Sequence, residues 1–236
     1  MAQEAHPARI AVVIPALNEE QRVGAVVAAV RRALPRAPVL VVNDGSSDRT
    51  GEEARRAGAM VAAHPFRMGY GAALVTGYRL ALRKGADVVL QLDGDGQHDA
   101  AQAPLLLGPV LEGSADIAIG SRFLSRNGYR PPLMRRAGIR LFSFLASLAG
   151  VRVTDPTSGF RALSRRAFSM FAESPHFPSD FPDADVIVLS HRAGLAVCEV
   201  PAAMRPCPGK ISMHGGLAPV YYVFKMMLSM ALASRA

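Results

Sequence analysis

Cysteine, lysine and aromatic side chains are scarce in this 236-residue chain, and each scarcity narrows what it can be. Cys198 and Cys207 form neither a metal-binding spacing nor a disulfide framework, so idle thiols in a reducing cytosol are expected. Aromatic residues make up only 6% of the chain and build no stacking platform. With no RNA-binding motif and with arginines spread along the sequence, this argues against a nucleic-acid partner. Lys84, Lys210 and Lys225 are the lysines, and the rest of the positive charge behind a net +8 is arginine. No uncharged apolar run reaches the ~18 residues of a spanning helix. The opening "MAQEAHPARI" lacks the apolar centre of a signal peptide. A disordered 1–8 and a cytoplasmic protein, at the inner face of the membrane if it meets one, are the expectations. No GxxxxGK[ST] loop occurs. In "GYGAAL" Leu74 stands where a dinucleotide fingerprint needs its third glycine.

What is present is a regular alternation. "ARIAVVIPA" reads as a buried strand and "NEEQRVGAVVAAVRRAL" as a helix, with Asn18 and Gln21 as a capping pair. Strands follow at "PVLVVND", "AMVAAH", "DVVLQLD" and "ADIAIGSRF", separated by helical stretches that end near Gly58, Gly85 and Gly113. Such alternation implies a mainly parallel α/β sheet with helices on both faces. The second half is less regular. An Arg-, Gly- and Pro-rich loop covers 122–136 and a helix follows it. "TDPTSGFRALSRRAF" reads as a turn entering a short helix. "DADVIVLSHRAG" is a helix, "LAVCEVPAAM" a strand and 217–233 a last amphipathic helix.

Ligands of open parallel sheets bind beyond the carboxyl ends of the strands. Polar residues gather at three such ends: Asn18 and Glu19, Asn43 and Asp44, and Asp93 and Asp95. One Asx is commonly a turn former; three coincident ends suggest a site. "LDGDGQHD" does not fit an EF-hand loop, because Pro104 and His98 fall where an acidic residue and a glycine are required. A haloacid dehalogenase-type phosphatase is a minor alternative. A divalent cation held by carboxylate against a diphosphate is the remaining reading, Mg²⁺ and Mn²⁺ favouring few protein oxygens plus substrate phosphates.

In order and spacing, "VVIPALNEE", "VVNDGSSDRT", "GYGAAL", "LQLDGDGQHD", "GSRF" and "DPTSGFRAL" resemble the family 2 glycosyltransferases, and within them the dolichyl- or polyprenyl-phosphate mannosyl- and glucosyltransferases. The resemblance implies a GT-A fold: a Rossmann-like nucleotide half joined to an irregular acceptor half over 9–216, with 217–236 as an amphipathic appendage. It implies a nucleotide diphosphate sugar as donor, Mg²⁺ or Mn²⁺ as cofactor and an inverting hexosyl transfer. By position, Pro15, Asn18, Glu19, Asp44 and Asp93 would bind the donor, while Asp95 and Gln97 would hold the metal. Arg122 and Asp185 would join Asp95 in catalysis, and Ser158 and Arg161 would lie near the sugar and acceptor. Arg67 departs from the family pattern, which has Asn before the "GYG" turn.

The acceptor is read from charge. A hydroxyl acceptor needs a base near operating pH; a lipid phosphate needs cations instead. Arg122, Arg126, Arg130, Arg135 and Arg136 lie in or just after one loop, which favours a polyprenyl phosphate over a saccharide or lipid hydroxyl. The last helix, with Leu217, Tyr221, Phe224, Leu228 and Ala231 on one stripe, is read as packing in the core, with a peripheral membrane contact through 217–236 as the alternative. A nucleotide-sugar-binding module without turnover is the non-catalytic alternative.

Overall fold

The computed structural model describes residues 8–124, 133–175, 177–180 and 182–205, with the side chains of 134 and 135 left out. The expected alternation forms. Strands β1 (Ile10–Ala16), β2 (Val39–Asn43), β3 (Met60–Ala63) and β4 (Val88–Gln91) are joined by helices α1 (Val23–Ala33), α2 (Thr50–Arg56) and α3 (Tyr70–Arg83). After β4 a 3-10 turn at Ala100–Gln102 leads into α4 (Ala103–Leu111), then β5 (Ile117–Ser121) and α5 (Leu133–Leu148). The chain continues through β6 (Arg161–Ser164), α6 (Arg165–Glu173), α7 (Ala184–Arg192) and β7 (Val197–Pro201).

The seven strands make one sheet in the order β3-β2-β1-β4-β6-β5-β7. The first half is parallel, as its crossover helices require. Strand β6 was not foreseen. It runs antiparallel to both β4 and β5, so "RALS" is a strand where a turn into a helix was expected. The reversal matters for the site. It carries the residues before β6 to the edge where the parallel strands end.

Alternation along the strands splits the core between the two faces. Val12, Ile14 and Leu90 pack with Val26 and Val30 of α1 and Leu106 of α4. On the other face Val13 and Ile119 pack with Leu74 and Tyr78 of α3, Phe142 of α5 and Phe168 and Phe171 of α6. Each such side chain contributes roughly 1.5–3 kcal/mol by leaving water. A core with this much buried area holds the strand ends rigid.

One local expectation fails. Helix α1 starts at Val23, and its N-terminal residue Arg22 makes no side-chain cap. Asn18 lies outside the helix with φ +55°, a conformation Asn tolerates better than most residues. Its Oδ1 accepts from Ser47 N at 2.9 Å, so it ties two loops together instead of capping a helix.

Candidate active site

The turns after β1, β2, β4 and β5 lie at one edge of the sheet. Asn18 and Glu19 follow β1, Asp44 follows β2, Asp93 and Asp95 follow β4, and Arg122 follows β5. Because β6 is reversed, the turn 155–160 enters from the same edge.

Asp93 is held at both carboxylate oxygens. Tyr70 Oη donates to Oδ1 at 2.7 Å, and His98 Nε2 donates to Oδ2 at 3.0 Å. Burial first, and the Asp93 charge second, push the Tyr70 phenol well above its ordinary range, so it remains a donor. Gln91, buried on β4, accepts from Tyr78 Oη and donates to both Tyr70 Oη and Gly159 O. His98 packs on the Phe160 ring with centroids 5.1 Å apart. Its Nδ1 is buried and has no hydrogen-bond partner among the described residues. Asp95 is buried, and its Oδ1 accepts from Gln97 N at 3.0 Å. Gly159 leaves room for the Asp93–Tyr70 contact: a Cβ there would sit 2.9–3.0 Å from both Asp93 oxygens and Tyr70 Oη, so those side chains would have to shift.

Asp44 is a buried acceptor with a crowded set of donors. Met68 N and His64 Nδ1 donate to Oδ1, each at 2.8 Å, and Gly69 N donates to Oδ2 at 2.9 Å. His64 is fixed in turn by a hydrogen bond between its Nε2 and Thr76 Oγ1 at 2.9 Å. The loop after β1 is stitched to the loop after β2. Asn18 N donates to Ser46 Oγ, Glu19 N to Thr50 Oγ1 and Glu20 N to Asp48 Oδ2. The loops that carry Asn18, Glu19 and Asp44 are therefore tied together at the carboxyl ends of β1 and β2.

On the other side Arg122 and Asp155 form a buried pair. Arg122 Nε and NH2 each reach an Asp155 oxygen at 2.6 Å, and Arg122 N adds a third bond at 3.0 Å. Burial lowers the guanidinium's proton affinity, but Asp155, then Asp183 and Asp93, more than restore it, so Arg122 stays charged. Arg161 donates to the carbonyls of Ser158, Pro182 and Pro156, clamping the 155–160 turn to the start of α7. Ser158 Oγ accepts from Phe160 N within that turn. Asp185 is buried in the first turn of α7, and its Oδ1 accepts from Asp183 N and Val186 N.

The structure thus brings Pro15, Asn18, Glu19, Asp44, Asp93, Asp95, Gln97, Arg122, Ser158, Arg161 and Asp185 to one edge. Arg136 is half-buried on α5 and its Nε finds no partner among the described residues. Arg126, Arg130, the Arg135 side chain and the expected helix 217–236 lie outside the described residues. Sequence reasoning missed Tyr70, Gln91 and His64 as supports. Gln91 carried a signal, being polar within an apolar strand.

A sequence model of the glycosyl transferase family 2 matches residues 11–171. A polyprenol monophosphomannose synthase of Mycolicibacterium smegmatis is 35% identical over 168 residues, 66% of this chain and 62% of that protein. An undecaprenyl-phosphate mannosyltransferase of Micrococcus luteus is 32% identical over 225 residues, 89% of each chain. Among solved structures, glucosyl-3-phosphoglycerate synthase from Mycobacterium tuberculosis, in complex with Mn²⁺ and UDP-glucose, superposes with a TM-score of 0.71 at 23% identity. That match covers 96% of this chain and 79% of the other, and the shared fold is GT-A.

Proposed function

We propose, for a chain that belongs to glycosyl transferase family 2, the inverting transfer of a hexose from a nucleoside diphosphate sugar to a polyprenyl phosphate. The observation that carries this reading is the single edge on which the Asp44, Asp93 and Asp95 turns face the buried Arg122–Asp155 pair. The relatives named for polyprenol and undecaprenyl phosphate support the acceptor, and the neighbour with UDP-glucose supports a diphosphate donor. GDP- and UDP-sugars both remain within the proposal.

In this reaction an acceptor phosphate oxygen forms the new bond to the anomeric carbon. The bond from that carbon to the diphosphate breaks, and its electron pair leaves on the diphosphate. Attack opposite the leaving group inverts the centre. The phosphate is already an anion, so no base is required. Pro15, Asn18, Glu19, Asp44 and Asp93 border the donor. Asp93, fixed by Tyr70 and His98, faces the ribose side. Arg126, Arg130, Arg135 and Arg136 supply cations for the acceptor. Arg122 positions the site through Asp155, and Ser158 and Arg161 hold the turn beside the sugar. The unit is 9–216, with 217–236 as an appendage at the inner face of the cytoplasmic membrane.

The donor set suits Mg²⁺ or Mn²⁺. Asp95 and Gln97 offer hard oxygens, and no closed cluster of three or more acidic, His or Cys side chains forms among the described residues. Asp95 and Gln97 would hold the ion, and substrate phosphates would supply further oxygens. When bound, it supplies Lewis acidity to the leaving diphosphate.

The test is a reaction of purified protein with GDP-mannose or UDP-glucose, a short polyprenyl phosphate and Mn²⁺. Equal yields of nucleoside diphosphate and glycosyl lipid are expected, both lost on chelation. Full activity in excess EDTA removes the metal from the proposal. Binding without product makes the chain a module. With Asp185 placed in α7's first turn, Asp185→Asn keeps substantial kcat; a dead variant makes Asp185 a base and the acceptor an alcohol.

A further inference from the structure

Strand β7 carries a carboxylate among apolar neighbours. Glu199 stands in register with Ile119 of β5, and Ile119 belongs to the core face covered by α3, α5 and α6. Register partners point to the same side of a sheet. Val197, two residues earlier on that side, packs against the same core. Glu199 instead meets the chain that has left α5. Its Oε2 accepts from Thr154 N at 2.7 Å and from Thr154 Oγ1 at 2.9 Å. Its Oε1 accepts from Asp155 N at 2.8 Å. Both oxygens therefore hold two consecutive residues of one turn.

The same turn is gripped from two other elements. Ser121 Oγ, at the end of β5, lies 2.7 Å from Thr154 Oγ1, and Ser143 Oγ of α5 donates to Thr154 O at 3.2 Å. Asp155 then turns both of its own carboxylate oxygens to Arg122. A line of contacts runs from β7 through the Thr154–Asp155 backbone to the guanidinium.

We propose that Glu199 is a positioning residue for the transfer: it fixes the Thr154–Asp155 backbone and, through Asp155, sets where the Arg122 guanidinium lies at the acceptor edge. The consequence for the reaction rests on the polyprenyl phosphate acceptor proposed above; the line of contacts does not. A carboxylate suits this task because donors approach both of its oxygens. A glutamine amide offers one acceptor oxygen, and its NH₂ would face a second donor.

Stability does not explain the charge. Burial above all pushes the Glu199 carboxyl up and the Asp155 charge adds to it, against the Thr154 and Asp155 donors that pull it down. A carboxyl whose proton affinity rises on folding contributes stability at low pH and loses it as pH rises through the raised value. At neutral pH Glu199 is therefore held ionised at a cost to the fold. The gain lies in the geometry of its partners, and small displacements of a positioned group are enough to impair a site.

The test reads Arg122 directly. In ¹H–¹⁵N spectra of arginine Nε–H groups, the Arg122 signal is identified by its loss in Arg122→Lys. Bonded to a buried carboxylate at 2.6 Å, this proton should exchange slowly with water. Glu199→Gln keeps the side-chain volume and converts one acceptor into a donor. It should move the Arg122 signal and speed its exchange at least about tenfold, with a melting temperature near that of the wild type. The acceptor KM should rise at least about fivefold, while donor KM and the Kd for Mn²⁺ with nucleoside diphosphate stay unchanged. An unmoved Arg122 signal overturns the proposal. So does a moved signal with an unchanged acceptor KM, or a large fall in melting temperature with donor and acceptor constants impaired alike, which makes Glu199 a residue of the fold only. A wild type that transfers no hexose to a polyprenyl phosphate refutes the proposed function instead, and the Arg122 signal still reports whether Glu199 acts through Asp155.

Discussion

Asp95 and Asp44 are both buried carboxylates after a strand, yet their surroundings predict different phenotypes. Asp95→Asn preserves the side-chain oxygen that accepts from Gln97 N, so melting temperature changes little. It removes the charge proposed to hold the ion, and kcat/KM should fall at least about 10²-fold; a near-normal rate sends the metal elsewhere. Asp44→Ala strands the Met68 and Gly69 amides and the His64 ring. Buried donors without acceptors cost about 1–3 kcal/mol each when water cannot reach them. A loss of at least about 2 kcal/mol in urea unfolding is expected, together with a raised donor KM. If only the KM changes, water replaces the carboxylate and Asp44 is a ligand contact rather than a loop anchor. The acidic residues were legible because each interrupts an apolar run at a strand end. Their supports were not: Tyr70 meets Asp93 only after α3 packs against the sheet, and His64 meets Asp44 only after β3 pairs with β2. Arg122 was visible as a cation, but its partner Asp155 lies 33 positions away, and nothing local announces the pair.

At the scale of elements, the first half was readable because strand and helix periods alternate cleanly there. Strand β6 was not. Its four residues carry too little alternation to compete with the helix that follows, and only pairing with β4 and β5 makes "RALS" extended. The turn it delivers is where the next two variants act. Gly159→Ala puts a methyl group 2.9–3.0 Å from both Asp93 oxygens, so the carboxylate or the turn must move. Displacements well under 1 Å already impair a positioned site, and we expect at least a tenfold loss of kcat/KM (about 1.4 kcal/mol) with the fold intact. Unchanged kinetics would mean that Asp93 can shift without consequence. Arg122→Ala and Asp155→Ala each leave a charge buried alone, a loss of about 3–5 kcal/mol. The double variant should be less destabilised than the sum, which chemical denaturation of all four proteins measures. Additive losses would show the two residues to be uncoupled.

Over the whole molecule, positive charge is distributed unevenly in sequence, with the acid-free stretch 117–153 running from β5 across α5. The site itself is held by buried pairs such as Arg122–Asp155, which salt screens weakly. Arg140 of α5 faces solvent, where raising ionic strength from 0.01 M to 1 M shortens the Debye length from about 30 Å to about 3 Å. A basic residue near an anionic surface is worth about 1 kcal/mol, so screening a few of them lowers surface affinity by more than about tenfold. Salt should therefore raise the apparent KM for a polyprenyl phosphate embedded in phosphatidylglycerol vesicles. The kcat should hold, because the chemistry takes place between groups already shielded. With a short soluble acceptor neither constant should respond as strongly. A salt effect of equal size on both acceptors would locate the sensitive charges inside the acceptor pocket, not on the solvent side of α5.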